Sequence, residues 1–399
     1  MEPVSLDELK ESLRKYLGKR ENIGCEDLKF VVSPYRISPL GAHIDHQGGP
    51  VLGMTINAYS VLAFIPNYKK RLRIYSMNYP GVAEFRLDHF KRPAKDYWGR
   101  YAIGALKIMR DFTTLEYGFT GVIAGTLPAS GLSSSASVGL AYLHALANVN
   151  ELDISPGDYV ELDRKIENDY LGLNNGILDQ SSIVYGKRNS LIYIDTLSRE
   201  TSAHAIPEDC ERFNVLIIYS GISRELTSSA FNVRVEQCAK AAGYLSLMGN
   251  RAPVNTLSQV PRELYLDKRD KLPEELRKRA DHFFTEIERV EDGVQAWNAG
   301  EISRFGELMN ESCESSLTNY ESGSVELEYL QNTLRASDNV YGSRFNGGGY
   351  GGCAVAFVND KTDEEAVFRI LRAYKEKFPE AGEKALTFFV TSEDGVRIE

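Results

Sequence analysis

Apolar positions along this chain recur with two periods. Leu6, Leu9, Leu13 and Leu17 fall at helical intervals and predict an amphipathic N-terminal helix. Short β-branched and aromatic runs follow. Phe30-Val-Val, Val51 to Ile56, Tyr59 to Ile65 and Leu72 to Ser76 read as four strands separated by turn residues. Trp98 to Phe112 reads as a helix. So does Ser155 to about Tyr170, where Ser155 can cap, Pro156 suits the first helical position, and Leu162, Ile166 and Tyr170 share a face. Between these helices, the apolar run Gly121 to Gly125 leads through a loop into a helix-prone stretch from Ser137. Leu191 to Ile194 reads as a further strand.

Residues 197–211 are polar and carry a proline, which predicts a crossing between domains. Phe213 to Tyr219 then reads as a buried strand. Phe283, Ile287, Val290, Val294 and Trp297 form one helical stripe, and Gly300 sits where a C-cap glycine belongs. Residues 249–272 have mixed charge and no clear period, so an excursion or lid is expected there. Cys353 to Val358 and Ala385 to Val390 read as strands flanking a helix over about 364–378. A chain of 399 residues suits two domains, taken as 1–200 and 201–399. Strands and helices mix in both, which favours an α+β fold over a doubly wound sheet.

Composition narrows the function. Hydrophobic content of 43% and charged content of 26% are ordinary for a globular protein. There is no apolar stretch of about 18 residues to span a membrane, and the N-terminus lacks the basic start and apolar segment of a signal peptide. Five scattered cysteines without a Cys-x-x-Cys pair predict reduced thiols and a cytoplasmic location. A net charge of −10 and the lack of a basic run argue against nucleic acid. An anionic substrate would need cations concentrated locally.

Four motifs carry candidate chemistry. Gly131-Leu-Ser133-Ser134-Ser135-Ala136 lies between a predicted strand and helix. The loop has no bulk to block a phosphate, and a helix N-terminus aims free N–H groups at it. Its hydroxyls add donors and possible Mg²⁺ ligands. No Gly-Lys-Ser/Thr follows, so it is not a Walker A loop. The second motif runs from Ser33 to Gly49 and packs Arg36, His43, Asp45 and His46 into a Gly- and Pro-punctuated loop. Such a loop suits reading sugar hydroxyls. A metal site at His43-x-Asp45-His46 is the alternative, although the spacing departs from a zincin helix. Third, Glu167 is followed twelve positions later by Asp179 in the apolar turn Gly176-Ile-Leu-Asp-Gln. A carboxylate there is costly unless paired or used, or it caps the next element. Fourth, Ser343-Arg-Phe-Asn-Gly347-Gly348-Gly-Tyr-Gly-Gly-Cys353 is dense in glycine, which implies close backbone approach to a ligand or chain segment.

Taken in order, these motifs resemble the GHMP kinases, specifically their galactokinase branch, over nearly the whole length. The resemblance implies a two-domain fold with the active site in the cleft between domains, ATP and Mg²⁺ as cofactors, and phosphorylation of an anomeric hydroxyl. It implies that Asp179 takes or orients the hydroxyl proton and that Arg36 stabilises charge on the transferring phosphoryl. Gly131, Ser133, Ser134, Ser135 and Ala136 would hold phosphates, and Ser135 with Glu167 would hold Mg²⁺. His43 and Asp45 would bind sugar hydroxyls, with Gly348 close by. Trp98 would lie by the adenine, or serve as a core aromatic at a helix start.

Two departures bear on the substrate. Galactokinases carry Gly-Glu-His-Thr-Asp, where this chain has Gly41-Ala42-His43-Ile44-Asp45. The lost Glu accepts from the sugar 6-hydroxyl in that family. It would repel a carboxylate at C6, and Ala42 removes the repulsion. Phe231 stands where galactokinases usually have a Tyr touching the sugar. The phrase around Ala42 is also similar to galacturonokinases best known from plants. The expected activity is therefore phosphorylation of D-galacturonate at C1. A galactokinase or a silent sugar-and-ATP sensor is the alternative, and the intact Arg36, Asp179 and Ser133–Ser135 argue against the sensor. The expected partners are a sugar acid and ATP, with no nucleic acid or membrane, and the chain a monomer or a dimer.

Overall fold

The computed structural model describes residues 4–22, 28–90, 92, 94, 96–127, 131–222, 228–362 and 364–399. Helix α1 (Leu6–Glu21) is capped by Ser5, whose hydroxyl accepts from Glu8 N–H at 3.3 Å. Leu9, Leu13 and Leu17 are buried, as their spacing predicts, against one face of the first sheet, on Phe30, Val32 and Val61.

That sheet has eight strands: β1 (Lys29–Ile37), β2 (Val51–Asn67), β3 (Arg71–Ser76), β4 (Val82–Arg86), β5 (Gly118–Gly125), β6 (Ser190–Ile194), β7 (Thr201–Ala205) and β12 (Arg397–Ile398). The order is β12-β1-β2-β5-β3-β4, with β6 and β7 paired onto the start of β2. The two strands expected at 51–65 are thus one long strand. The polar break at Asn57 does not turn the chain, because Asn57 exchanges hydrogen bonds with the backbone of Thr391. The register instead shifts between Pro34 and Tyr35 on β1. The stretch 197–211 likewise contains β7 before it crosses over, so the crossing is shorter than its polarity suggests.

Helices α2 (Arg100–Phe112), α3 (Ser134–Val149), α4 (Pro156–Lys165) and α5 (Leu178–Val184) bury the other face of the sheet. Ser155 caps α4, accepting from Asp158 N–H at 3.1 Å, with Pro156 at the first turn. The chain continues from α4 as a π-helical turn over Ile166–Leu171, burying Ile166 and Tyr170. Helix α3 starts at Ser134 rather than Ser137, so the serine-rich loop supplies its first turn.

The second sheet is antiparallel: β8 (Phe213–Tyr219), β9 (Val340–Phe345), β10 (Cys353–Asn359) and β11 (Leu386–Val390), in the order β11-β8-β10-β9. Around it lie α6 (Ser228–Met248), α7 (Arg262–Lys268), α8 (Glu274–Asn298), α9 (Ile302–Thr318), α10 (Val325–Arg335), α11 (Glu364–Lys377) and α12 (Pro379–Gly382). Residues 249–272 form no lid. Leu257, Val260, Tyr265 and Leu272 are buried against α6 and α8, and Leu257 N–H donates to Gln47 Oε1 at 3.1 Å. Their polar residues hide a buried set spaced too irregularly to show a period. Cys210, Cys238, Cys313 and Cys353 are unbridged; Cys25 lies outside the described residues.

A shared core joins the halves. Val215, Ile217 and Phe357 from the second sheet meet Leu52, Met54 and Ile56 from the first and Leu40 from the loop between β1 and β2, with Trp297 and Phe305 of α8 and α9 between. Trp297 is fully buried and donates from Nε1 to the His204 carbonyl at 3.0 Å. Trp297→Ala is expected to destabilise the protein by about 3–5 kcal/mol, through a cavity and an orphaned carbonyl. Denaturant unfolding monitored by circular dichroism checks this; a loss below about 1 kcal/mol would place the junction elsewhere.

Candidate active site

Three chain segments converge where the two sheets meet. Strand β1 delivers Arg36, the first turn of α5 delivers Asp179, and Ser133 stands at the N-cap of α3. Arg36 is buried and donates to Asp179 Oδ1 from Nε at 2.9 Å and Nη2 at 2.7 Å. Ser133 Oγ donates to Asp179 Oδ2 at 2.5 Å. The Asp179 side chain keeps 23% of its surface exposed, towards a cavity of about 430 Å³. Arg36 Nη1 is buried and makes no hydrogen bond, a donor left for an incoming anion.

Beside this pair lies Glu167 on the π-helical turn. It is 1% exposed. Asn175 Nδ2 donates to its Oε2 at 2.6 Å and Gln180 Nε2 at 3.3 Å, while Oε1 has no partner. Burial, and next the negative charge of Asp179, push its pKa up to about 7. Ser135 lies close enough to favour the ionised form. A carboxylate with an orphaned oxygen beside a hydroxyl fits a hard divalent cation such as Mg²⁺.

The serine-rich loop is held from the other sheet. Gly131 has φ +86°, and a Cβ there would stand 3.0 Å from Asn346 O and Cys353 N. Only glycine tolerates both the conformation and the contact. Asn346 Nδ2 donates to the Gly131 carbonyl at 2.5 Å, and Ser38 N–H donates to Asn346 Oδ1 at 2.8 Å. Ser133 takes φ +57° and His43 φ +64°, conformations that a non-glycine residue adopts at a cost.

The opposite end of the cavity is built from the first motif. Ala42 and His43 are buried and line it. The His43 ring stacks on Tyr320 at 4.4 Å, and its Nε2 meets Ser322 Oγ at 3.0 Å. Burial, followed by the charges of His282 and Arg344, holds its pKa well below the usual range. Asp45 accepts from Leu178 N–H at 3.2 Å and His46 N–H at 2.9 Å. Burial raises its pKa to about 6. Gly176 is required beside it, because a Cβ would lie 2.2 Å from Asp45 Oδ2. Phe231 of α6 lines the cavity and meets His46 edge-on at 5.8 Å. His46 uses both ring nitrogens, on Tyr320 OH and Gln47 Nε2, each at 3.0 Å. Among the described residues no group of three or more His, Cys, Asp or Glu is arranged to hold a metal. The His43-x-Asp45-His46 alternative therefore has no support in the geometry.

The structure thus brings Arg36, Ala42, His43, Asp45, Gly131, Ser133, Ser134, Ser135, Glu167, Asp179, Phe231 and Gly348 to one cavity. Ala136 is fully buried behind it. Trp98 is not among the lining residues: its ring stacks on Tyr79 at 6.2 Å, and Arg100 and Tyr101 face the cavity instead. Sequence reasoning missed Asn346, Gly176 and Tyr320. The place of Asn346 immediately before the glycine run was the available signal.

Two family models match the chain: the GHMP kinases N terminal domain over residues 100–187 and the GHMP kinases C terminal domain over 294–377. A galacturonokinase from Arabidopsis thaliana is 39% identical over 94% of this chain and 92% of its own length. The chain belongs to the GHMP kinase family. It is a sugar kinase, a phosphotransferase with an alcohol group as acceptor. A galactokinase from Clostridium perfringens is 33% identical over 89% of this chain and 92% of its own length. The crystal structure of Lactococcus lactis galactokinase complexed with galactose superposes with a TM-score of 0.89 at 29% identity, covering 98% of this chain and 99% of that one. A mevalonate kinase shares the fold, with a TM-score of 0.63 at 16% identity, over 92% of this chain and 99% of its own.

The raised pKa of Asp45 gives a test. Above about pH 6 its carboxyl group is ionised and only accepts hydrogen bonds; below, it is protonated and exchanges part of that capacity for an O–H donor, which would weaken sugar binding were Asp45 a sugar ligand. Sugar affinity, measured by calorimetry without nucleotide or Mg²⁺, is expected to fall roughly tenfold per pH unit below that point. A flat profile from pH 8 to 5 would remove Asp45 from sugar binding.

Proposed function

We propose that the protein transfers the γ-phosphoryl group of ATP to the anomeric hydroxyl of D-galacturonate. Ala42 carries this reading. It lines the cavity together with Arg36 and Ser38, at the position where the galactokinase pattern has a Glu, so no side-chain carboxylate stands there to repel a C6 carboxylate. The 39% identity to a galacturonokinase supports the same substrate.

The chemistry follows from the residues. Asp179 accepts the proton of the sugar C1 hydroxyl as the new O–P bond forms and the bond to ADP breaks. Arg36, with its spare Nη1, neutralises charge on the transferring group. The first turn of α3 offers backbone N–H groups to the phosphates, with the hydroxyls of Ser133, Ser134 and Ser135 secondary. Mg²⁺, when bound by Glu167 and Ser135, would screen the phosphate charge. Asp45 and His43 orient the sugar ring, and Phe231 and Gly348 shape the pocket.

Asp179→Asn is expected to lower kcat by about 10²–10⁴ while ATP still binds. Steady-state kinetics paired with nucleotide calorimetry check this; near wild-type turnover would assign Asp179 to structure.

Wild-type kcat/KM for galacturonate is expected to exceed that for galactose by at least about tenfold, which is roughly 1.4 kcal/mol. Ala42→Glu should move the preference towards galactose. Competition kinetics with both sugars on both proteins decide it, and a wild type that uses the two equally would defeat the substrate assignment.

A further inference from the structure

The uronate reading leaves a charge to be balanced: a C6 carboxylate entering a buried pocket needs a cation. Among the described residues four arginines line the cavity: Arg36, Arg92, Arg100 and Arg344. Arg36 is paired with Asp179. Arg92 lies over Tyr170 and donates to its carbonyl at 2.6 Å, and Arg100 lies over Tyr101, which neighbours Ser135 and Glu167. Both stand at the phosphate end. Arg344 stands at the other end, behind Ala42 and His43.

The wiring that places it there is continuous. Gly41 N–H donates to Glu286 Oε1 at 2.8 Å, Ser312 Oγ donates to the same oxygen at 2.5 Å, and Arg344 Nη1 donates to Ser312 Oγ at 2.5 Å. On the other side, Arg344 Nη2 donates to Ser316 Oγ at 3.3 Å, and Ser322, which bonds the Ser316 carbonyl, holds the His43 ring.

Asp45, also at this end, is held by the N–H groups of Leu178 and His46; among the described partners of Arg344 the charges do not cancel. The hydrogen bonds of Arg344 go to neutral oxygens: two serine hydroxyls and the Phe345 carbonyl. Its ion-pair contact is Glu286 at 3.9 Å, and Glu286 is already paired with Arg289 at 2.7 Å. His43, His46 and His282 are all held neutral by burial near pH 7. Two arginines thus share one carboxylate, leaving an excess positive charge on a side chain that is 1% exposed yet lines the cavity. Such an excess is unfavourable in the empty protein and favourable once an anion arrives.

We propose that Arg344 is the cation that receives the C6 carboxylate of a hexuronate in the space beside Ala42. The inference rests on the uronate reading above. It adds a physical meaning to the Ala42 substitution: the carboxylate that the galactokinase pattern places on the enzyme is here brought by the substrate.

The test is steady-state kinetics of wild type, Arg344→Gln and Arg344→Lys with galacturonate and with galactose. Arg344→Gln keeps hydrogen bonds to Ser312 or Ser316 but removes the charge. It is expected to lower kcat/KM for galacturonate about 30-fold or more relative to galactose, mainly through KM. Arg344→Lys keeps the charge without the fork and should fall in between, at about fivefold. A galacturonate-to-galactose ratio within about threefold of wild type in Arg344→Gln overturns the proposal, even if both activities drop. Should Arg344→Gln fail to fold, Arg344→Lys decides, and an unchanged ratio there overturns it. A wild type that prefers galactose defeats the substrate assignment instead, and the change in ratio on mutation still reports whether Arg344 favours the anionic sugar.

Discussion

The carboxamide of Asn346 is the contact on which the site depends. It is buried at the end of β9, in the second sheet. Its oxygen accepts from Ser38 N–H, just past the end of β1, and its nitrogen donates to the carbonyl of Gly131, at the mouth of the serine-rich loop. One planar group therefore fixes the spacing between the strand that carries Arg36, the loop that carries Ser133, and the glycine turn opposite. Arg36 and Ser133 then meet on the two oxygens of Asp179 with little freedom left. Side chains held by packing and by each other lose little entropy when a ligand arrives.

What the sequence revealed and what it hid have the same physical root. Local rules are legible because neighbours in sequence enforce them. Ser5 and Ser155 cap helices, Leu9, Leu13 and Leu17 point one way, and the small residues at 131–136 clear space before a helix. Contacts between distant segments leave no such mark. Asn57 reads as a break in a strand until Thr391 arrives to pair with it. Gly176 reads as a turn residue until Asp45 comes within reach of its missing side chain. Trp98 sits in a stretch with Arg100 and Tyr101, and spacing alone could not say which of them faces the cavity. The motif order located the site, and tertiary contact decided which residues within each motif line it.

Acidic proteins that handle anions separate their charges by depth. This chain carries a net charge of −10, yet among the described residues four arginines line its cavity. The same low-dielectric surroundings raise the pKa of Glu167 and Asp45, and hold His43 neutral. Histidine thus contributes shape and hydrogen bonds, whereas the permanently charged guanidinium groups supply the positive field.

The edge strand β12 carries a consequence for how such a chain can be made. Arg397 and Ile398 pair with β1, Phe30 and Glu399 exchange backbone hydrogen bonds at 2.8 Å, and Gly395 N–H reaches the carbonyl of Gly186. An edge strand of the first sheet is therefore supplied by residues that follow the whole second sheet in sequence. During synthesis its early strands must wait, with one edge open, while the entire second sheet emerges. Loss of this pairing would then weaken the sheet that holds Arg36, although residues 397 and 398 lie far along the chain from it. In this architecture the order of translation and the order of assembly differ, and cooperativity between the two halves is enforced by the path of the backbone itself.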